Sequence, residues 1–153
     1  TKTVQKTSES ENYDSTKPSK MYLVFKNEGV KIELNEETKD AYNGSTSSDE
    51  AYISSHYFDD KVGFEGCRVN GAVSGIIALD SAKVGDDHFG SPWTEAELKN
   101  FSDVKIGDTY YWLTPSNGPC WNPVEIQESD PRVQKLLEFR GAMSDLQKTI
   151  TKI

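Results

Sequence analysis

In MYLVFKNEGVKIELN, residues 21–35, a nearly unbroken apolar run is followed by an alternating one, with Val30, Ile32 and Leu34 separated by Lys31 and Glu33. Alternation with period two marks a strand with one buried and one wet face, and the Asn27-Glu28-Gly29 break supplies a turn, so the segment predicts a β-hairpin. Asn35 then caps a short helix expected over 36–42, with acids in its first turn and Gly44 past its end. Residues 43–50 are polar and read as a loop. From 51 to 79 the pattern returns to β. There GFEGCRV and AVSGIIAL flank Asn70-Gly71, a dipeptide that accepts the positive φ angles of a two-residue hairpin turn, which predicts Cys67 in a paired strand just before it.

Residues 80–92 form a polar stretch leading to Thr94 and Glu97, whose spacing is that of a capping box for a helix running to Phe101. A turn at 106–108 precedes the aromatic strand TYYWLT, and the proline- and glycine-rich loop TPSNGPCWNP leads to a last expected strand at 124–127. Asp130 followed by Pro131 is a helix start, an N-cap and then a first-turn proline. Leu136, Met143 and Ile150 recur every seven residues, as do Phe139, Leu146 and Ile153, and Val133 joins the same side. That stripe predicts an amphipathic helix over 131–153 laid across the sheet. The fold class expected is therefore α+β: an antiparallel, hairpin-built sheet, a short helix and a long C-terminal helix packed against it.

Composition narrows the folded part. Residues 1–20 hold only Val4 and Tyr13 as sizeable apolar groups, too few to offset chain entropy, so they are expected to be a disordered linker or tail to a single domain at 21–153. A polar spacer of this kind also suits a mature exported chain, with a signal segment or lipid anchor once preceding Thr1. The charge is uneven. Of the net −8, residues 1–20 carry +1 and residues 131–153 carry +3, leaving −12 on the body between them. Such a body repels nucleic-acid phosphates and anionic lipid, and suits a basic partner or a neutral glycan.

Candidate chemistry is sparse. An EF-hand template laid from Asp80 places Gly85 correctly but meets Ala82, Val84 and Ser91 at ligand positions, leaving Asp86 and Asp87 only as weak metal candidates. His56, Cys67, His88 and Cys120 are scattered singly rather than in the close pairs of a zinc site. No phosphate-binding glycine loop and no nucleophile elbow is present, and no cofactor is expected. Cys120 with His88 as base would make a Cys-His hydrolase, but Cys120 precedes no helix that would lower its pKa. An even count of two cysteines in an exported chain instead predicts a Cys67 to Cys120 disulfide.

Successive residues of TYYWLT face opposite sides, so Tyr110 and Trp112 cannot share a core with Tyr111 unless the strand is covered on both faces. Trp93, Tyr110, Trp112 and Trp121 are accordingly candidates for a binding platform. The functional expectation is a non-catalytic, extracellular or cell-surface binding module that meets a protein or glycan partner through acidic and aromatic groups. An inhibitor or immunity-type protein against a basic enzyme is one alternative, and the hydrolase is the other. A monomer is expected, with a dimer through the C-terminal stripe as its alternative.

Overall fold

The computed structural model describes residues 19–44, 51–69 and 75–153. The expected tail over its first eighteen residues, the end of the 43–50 loop and the Asn70-Gly71 turn lie outside them. Mixed helix and antiparallel sheet, the α+β class, is what the chain forms. β1 (Met21–Phe25) and β2 (Val30–Leu34) make the expected hairpin, with Phe25 opposite Val30 and Gly29 at a positive φ of 73° in the turn. β3 (Ala41–Asn43), β4 (Ala51–Ser55), β5 (Ile77–Lys83), β8 (Lys105–Ile106) and β9 (Thr109–Pro115) form a second sheet in the order β3-β4-β5-β9-β8. β6 (Asp87–His88) and β7 (Ser91–Pro92) pair as a small separate hairpin.

Two helices cover the second sheet. α1 (Glu95–Phe101) starts at the Thr94–Glu97 capping box, in which each side chain accepts a hydrogen bond from the other's backbone N–H. α2 (Pro131–Ser144) starts at Asp130, whose carboxylate accepts from Arg132 N at 2.8 Å. Its stripe of Val133, Leu136, Phe139 and Met143 is buried. The main core fills the space between this stripe, the inward residues of β1 and β2, and the inner face of the second sheet.

Five local expectations are corrected. The helix expected at 36–42 is one 3-10 turn, Glu36–Thr38, because Asn35 and Thr38 close a capping box over three residues. Tyr42 is then drawn into β3 opposite Ser54. Cys67 sits in a 3-10 turn, Glu65–Cys67, rather than in a strand, and β5 runs on to Lys83 through the stretch read as loop. Residues 124–127 are turns: Asn122 Oδ1 accepts from Val124 N, and Ile126 N donates to Asn122 O, so the alternation of Val124 and Ile126 imitates a strand without forming one. The last helix ends at Ser144. After a 3-10 turn, Gln147–Thr149, β10 (Thr151–Lys152) pairs with β2 opposite Lys31 and Val30. The β-branched run TITKI favours a strand, and Ile150 reaches the core through the turn while Ile153 stays exposed.

The disulfide expectation is met. Cys67 and Cys120 are bonded, with their Cα atoms 4.7 Å apart across a sequence separation of 53 residues. Two glycines allow this approach. A Cβ on Gly66 would collide with the carbonyl of Cys120, and one on Gly63 with the Ile126 side chain. Asn122 N donates to Gly63 O at 2.8 Å between the same segments.

Replacing both cysteines by serine is expected to cost about 4 kcal/mol by the loop-entropy relation, read as a lower urea midpoint. An unchanged midpoint would mean that the two loops dock equally well without the bond. Acid acts on the start of α2. The Arg132 guanidinium and backbone N–H hold the Asp130 carboxyl down at about 2, against an ordinary 3.8. Its contribution to stability is complete above the ordinary value and is lost as pH falls through about 2. Unfolding followed by circular dichroism should therefore show a loss between about pH 4 and pH 2 that is smaller in Asp130→Asn; identical acid profiles would contradict this.

Candidate functional site

The sequence-picked chemistry separates in space. Cys120 lies in the main core, bonded to Cys67, so in this state it carries no thiolate. His88 lies with the other cluster, outside the sheet, where its ring stacks on Trp93 at 3.7 Å. The structure does not bring the two into one constellation. Asp86 shapes a turn: its carboxylate accepts from Lys83 N at 2.8 Å and its backbone carbonyl from Trp93 N. Asp87 pairs in the β6–β7 hairpin opposite Pro92. Among the described residues no three of His, Cys, Asp and Glu are grouped so as to hold a metal ion, and no helix is long and apolar enough to cross a membrane. His56 Nδ1 and Asp59 Oδ2 are 2.7 Å apart, an acid–base pair the sequence did not single out. Tyr42 stacks on His56 and donates its hydroxyl to Asp59, so the pair ties β3 to the 3-10 turn His56–Phe58.

The aromatic candidates make a second layer. Tyr111 and Leu113 point into the main core, while Tyr110 and Trp112 point the other way and are buried with Trp93, Leu98 and Ala82 under α1. Tyr110 donates its hydroxyl to Glu95 at 2.6 Å. That bond and loss of solvation push the phenol up to about 12, and the same bond lowers the Glu95 carboxyl. Trp121 is half-buried against the main core. At the edge of this layer Phe101, stacked on Trp112, is 49% exposed, and Phe89 at the tip of the β6–β7 hairpin is 96% exposed with a φ of 53°.

An open concavity lined by described residues lies elsewhere. α2 lies alongside the turn at 36–40 and the turn at 55–58, leaving an open groove of about 490 Å³. Phe58 and Phe139, both buried in the core, form its floor, and Tyr57, Leu137 and Ala142 add apolar wall. Glu36, Glu37, Asp40, Glu138 and Asp145 line it against Lys39 and Lys135. Lys39 is bonded to Glu36 at 2.7 Å, and Lys135 sits over the Tyr57 ring at 5.7 Å. Glu37, Asp40, Glu138 and Asp145 enter no ion pair among the described residues. Asp145 is also the C-cap of α2, where the negative end of the helix dipole opposes a carboxylate.

Gly141 lies between those two acids on α2, exposed and facing the groove. A Cβ placed on it would meet nothing within 4 Å, so no contact among the described residues requires a glycine there. Gly141 lies in the last turn of α2; a glycine in a helix interior costs roughly 0.5–1 kcal/mol relative to alanine, the upper bound here.

None of the groove residues is among the site candidates drawn from the sequence, although Phe139 is read there as part of the buried stripe. One signal was available: Glu138 and Asp145, seven residues apart, are the only acids in residues 131–153 and share a helix face. No family model, no curated protein and no solved structure matches the chain. Trp112→Ala should cost about 3–5 kcal/mol in thermal or urea unfolding, as expected of a buried indole, whereas Phe89→Ser should change stability by less than about 0.5 kcal/mol. Equal effects would contradict the division into a buried layer and an exposed rim.

Proposed function

We propose that the protein is a non-catalytic binding module of an oxidising, extracytoplasmic compartment, and that the groove beside α2 takes a positively charged segment of a protein partner. The observation that carries this reading is the groove itself, with apolar lining and five carboxylates against two lysines, four of those acids entering no ion pair among the described residues. Both acids of an otherwise basic C-terminal stretch line it, so the negative charge is placed against the local trend. A cation entering there relieves mutual repulsion among the carboxylates and gains apolar contact in the same step. The Cys67–Cys120 bond supports the compartment, because structural disulfides persist where the medium is oxidising. An inhibitor or immunity-type protein is a specialised form of the same reading, with the acidic groove meeting the basic surface of an enzyme.

The test is a titration with a lysine-rich peptide. Wild-type protein should bind it with an affinity that falls as salt rises from about 50 to 300 mM, and the Glu138→Lys/Asp145→Lys pair should weaken binding at least about tenfold. Unchanged affinity in the double variant would place the basic partner elsewhere on the acidic body.

A further inference from the structure

We infer that the groove is shaped for an amphipathic α-helix, a partner's helix with an apolar stripe flanked by Lys or Arg, crossing α2 at Gly141. This rests on the reading of the groove as the ligand site and names the form its ligand takes. Three features of the groove lead to it.

The first is the character of the walls. They are α2, the 3-10 turn Glu36–Thr38 with its two following residues, and Ser55 with Tyr57 and Phe58 of the 3-10 turn His56–Phe58. None of the lining residues belongs to β3, the edge strand of the second sheet. An extended peptide seated here finds no row of free N–H and C=O groups to pair with, and its own backbone would be desolvated without compensation. A helix enters with its backbone hydrogen bonds already made.

The second is length. On α2 and its C-cap the lining residues run from Lys135 to Asp145, three turns of helix, so a partner helix lying along it meets lining residues over several successive turns. The apolar lining residues Phe58, Phe139, Leu137 and Ala142 receive an apolar stripe, while Glu138 and Asp145 on one wall and Glu37 and Asp40 on the other meet cations flanking it.

The third is Gly141. Packed helices lie about 8–10 Å apart, at the near end of that range where the facing residues are small. Gly141 and Ala142 are the smallest side chains on the groove wall, and no described residue occupies the space above Gly141. A glycine that weakens its own helix and fills no internal need is accounted for by close approach of a second backbone from outside.

The experiment uses the whole protein and a synthetic Leu/Lys amphipathic peptide of about 18 residues, five helical turns, with a scrambled peptide of identical composition as control. Gly141→Leu is the informative variant. Leucine is a strong helix former entering open space, so the fold is retained and the thermal midpoint does not fall while the side chain occupies the crossing point. The expected result is binding of the amphipathic peptide with a gain of helical circular dichroism, at least about tenfold weaker binding of the scrambled peptide, and at least about tenfold weaker binding by Gly141→Leu. If the scrambled peptide binds as tightly, or Gly141→Leu binds like wild type, the helix inference is overturned while the reading of the groove as a site for basic segments stands. If neither peptide binds wild type, both are overturned.

Discussion

A strand that is apolar on both faces has to be covered on both faces, and β9 is such a strand. Tyr111 and Leu113 face one side, Tyr110 and Trp112 the other, and all four are buried. The rest of the fold follows from that alternation. The inner face is closed by α2 and by the β1–β2 hairpin, the outer face by the short helix α1 with Trp93 and Leu98. Gln147 links the two coverings, accepting from Leu113 N and donating to Phe101 O. The Cys67–Cys120 bond then secures the loop that leaves β9 to the turn beneath the core, with Gly63 and Gly66 allowing the contact.

Seating α2 on that inner face also determines what its other side presents. Its buried stripe is apolar and uninterrupted, and Arg140 reaches across to Ile76 O at 3.2 Å, with burial lowering its guanidinium from the ordinary value. The opposite flank is left beside the 36–40 turn, and there lie the helix's Glu138, its one glycine and the C-cap Asp145. Each of these is mildly unfavourable for the isolated chain: a carboxylate at a helix C-terminus, a glycine within the helix, several like charges around one cavity. They share one location, and one ligand would account for all three.

Much of this architecture was legible where a local rule and the tertiary environment agree. The 21–35 hairpin, the Thr94–Glu97 capping box and the Asp130-Pro131 helix start are each fixed by neighbouring residues, and each formed as expected. The misreadings occurred where a pattern was true but its context was not visible. Ile150 does belong to the buried stripe, yet it arrives through a turn because β2 offers an edge to β10. Val124 and Ile126 alternate, yet Pro123 and the Asn122 side chain make turns of them. The dense aromatics announced a crowded strand, and the structure shows that crowding as a second buried layer. The groove could not be read locally, because 36–40, 55–58 and 135–145 carry no common motif and meet only in the folded chain.

The most direct examination of the account is a residue-resolved map of where a basic amphipathic peptide touches the protein, from amide chemical shifts recorded during a titration. Perturbations concentrated at 36–40, 55–58 and 135–145, strongest around Gly141, are the predicted result. Perturbations concentrated instead at Phe89, Phe101 and the β6–β7 hairpin, with α2 unmoved, would contradict it and place the binding surface on the aromatic rim.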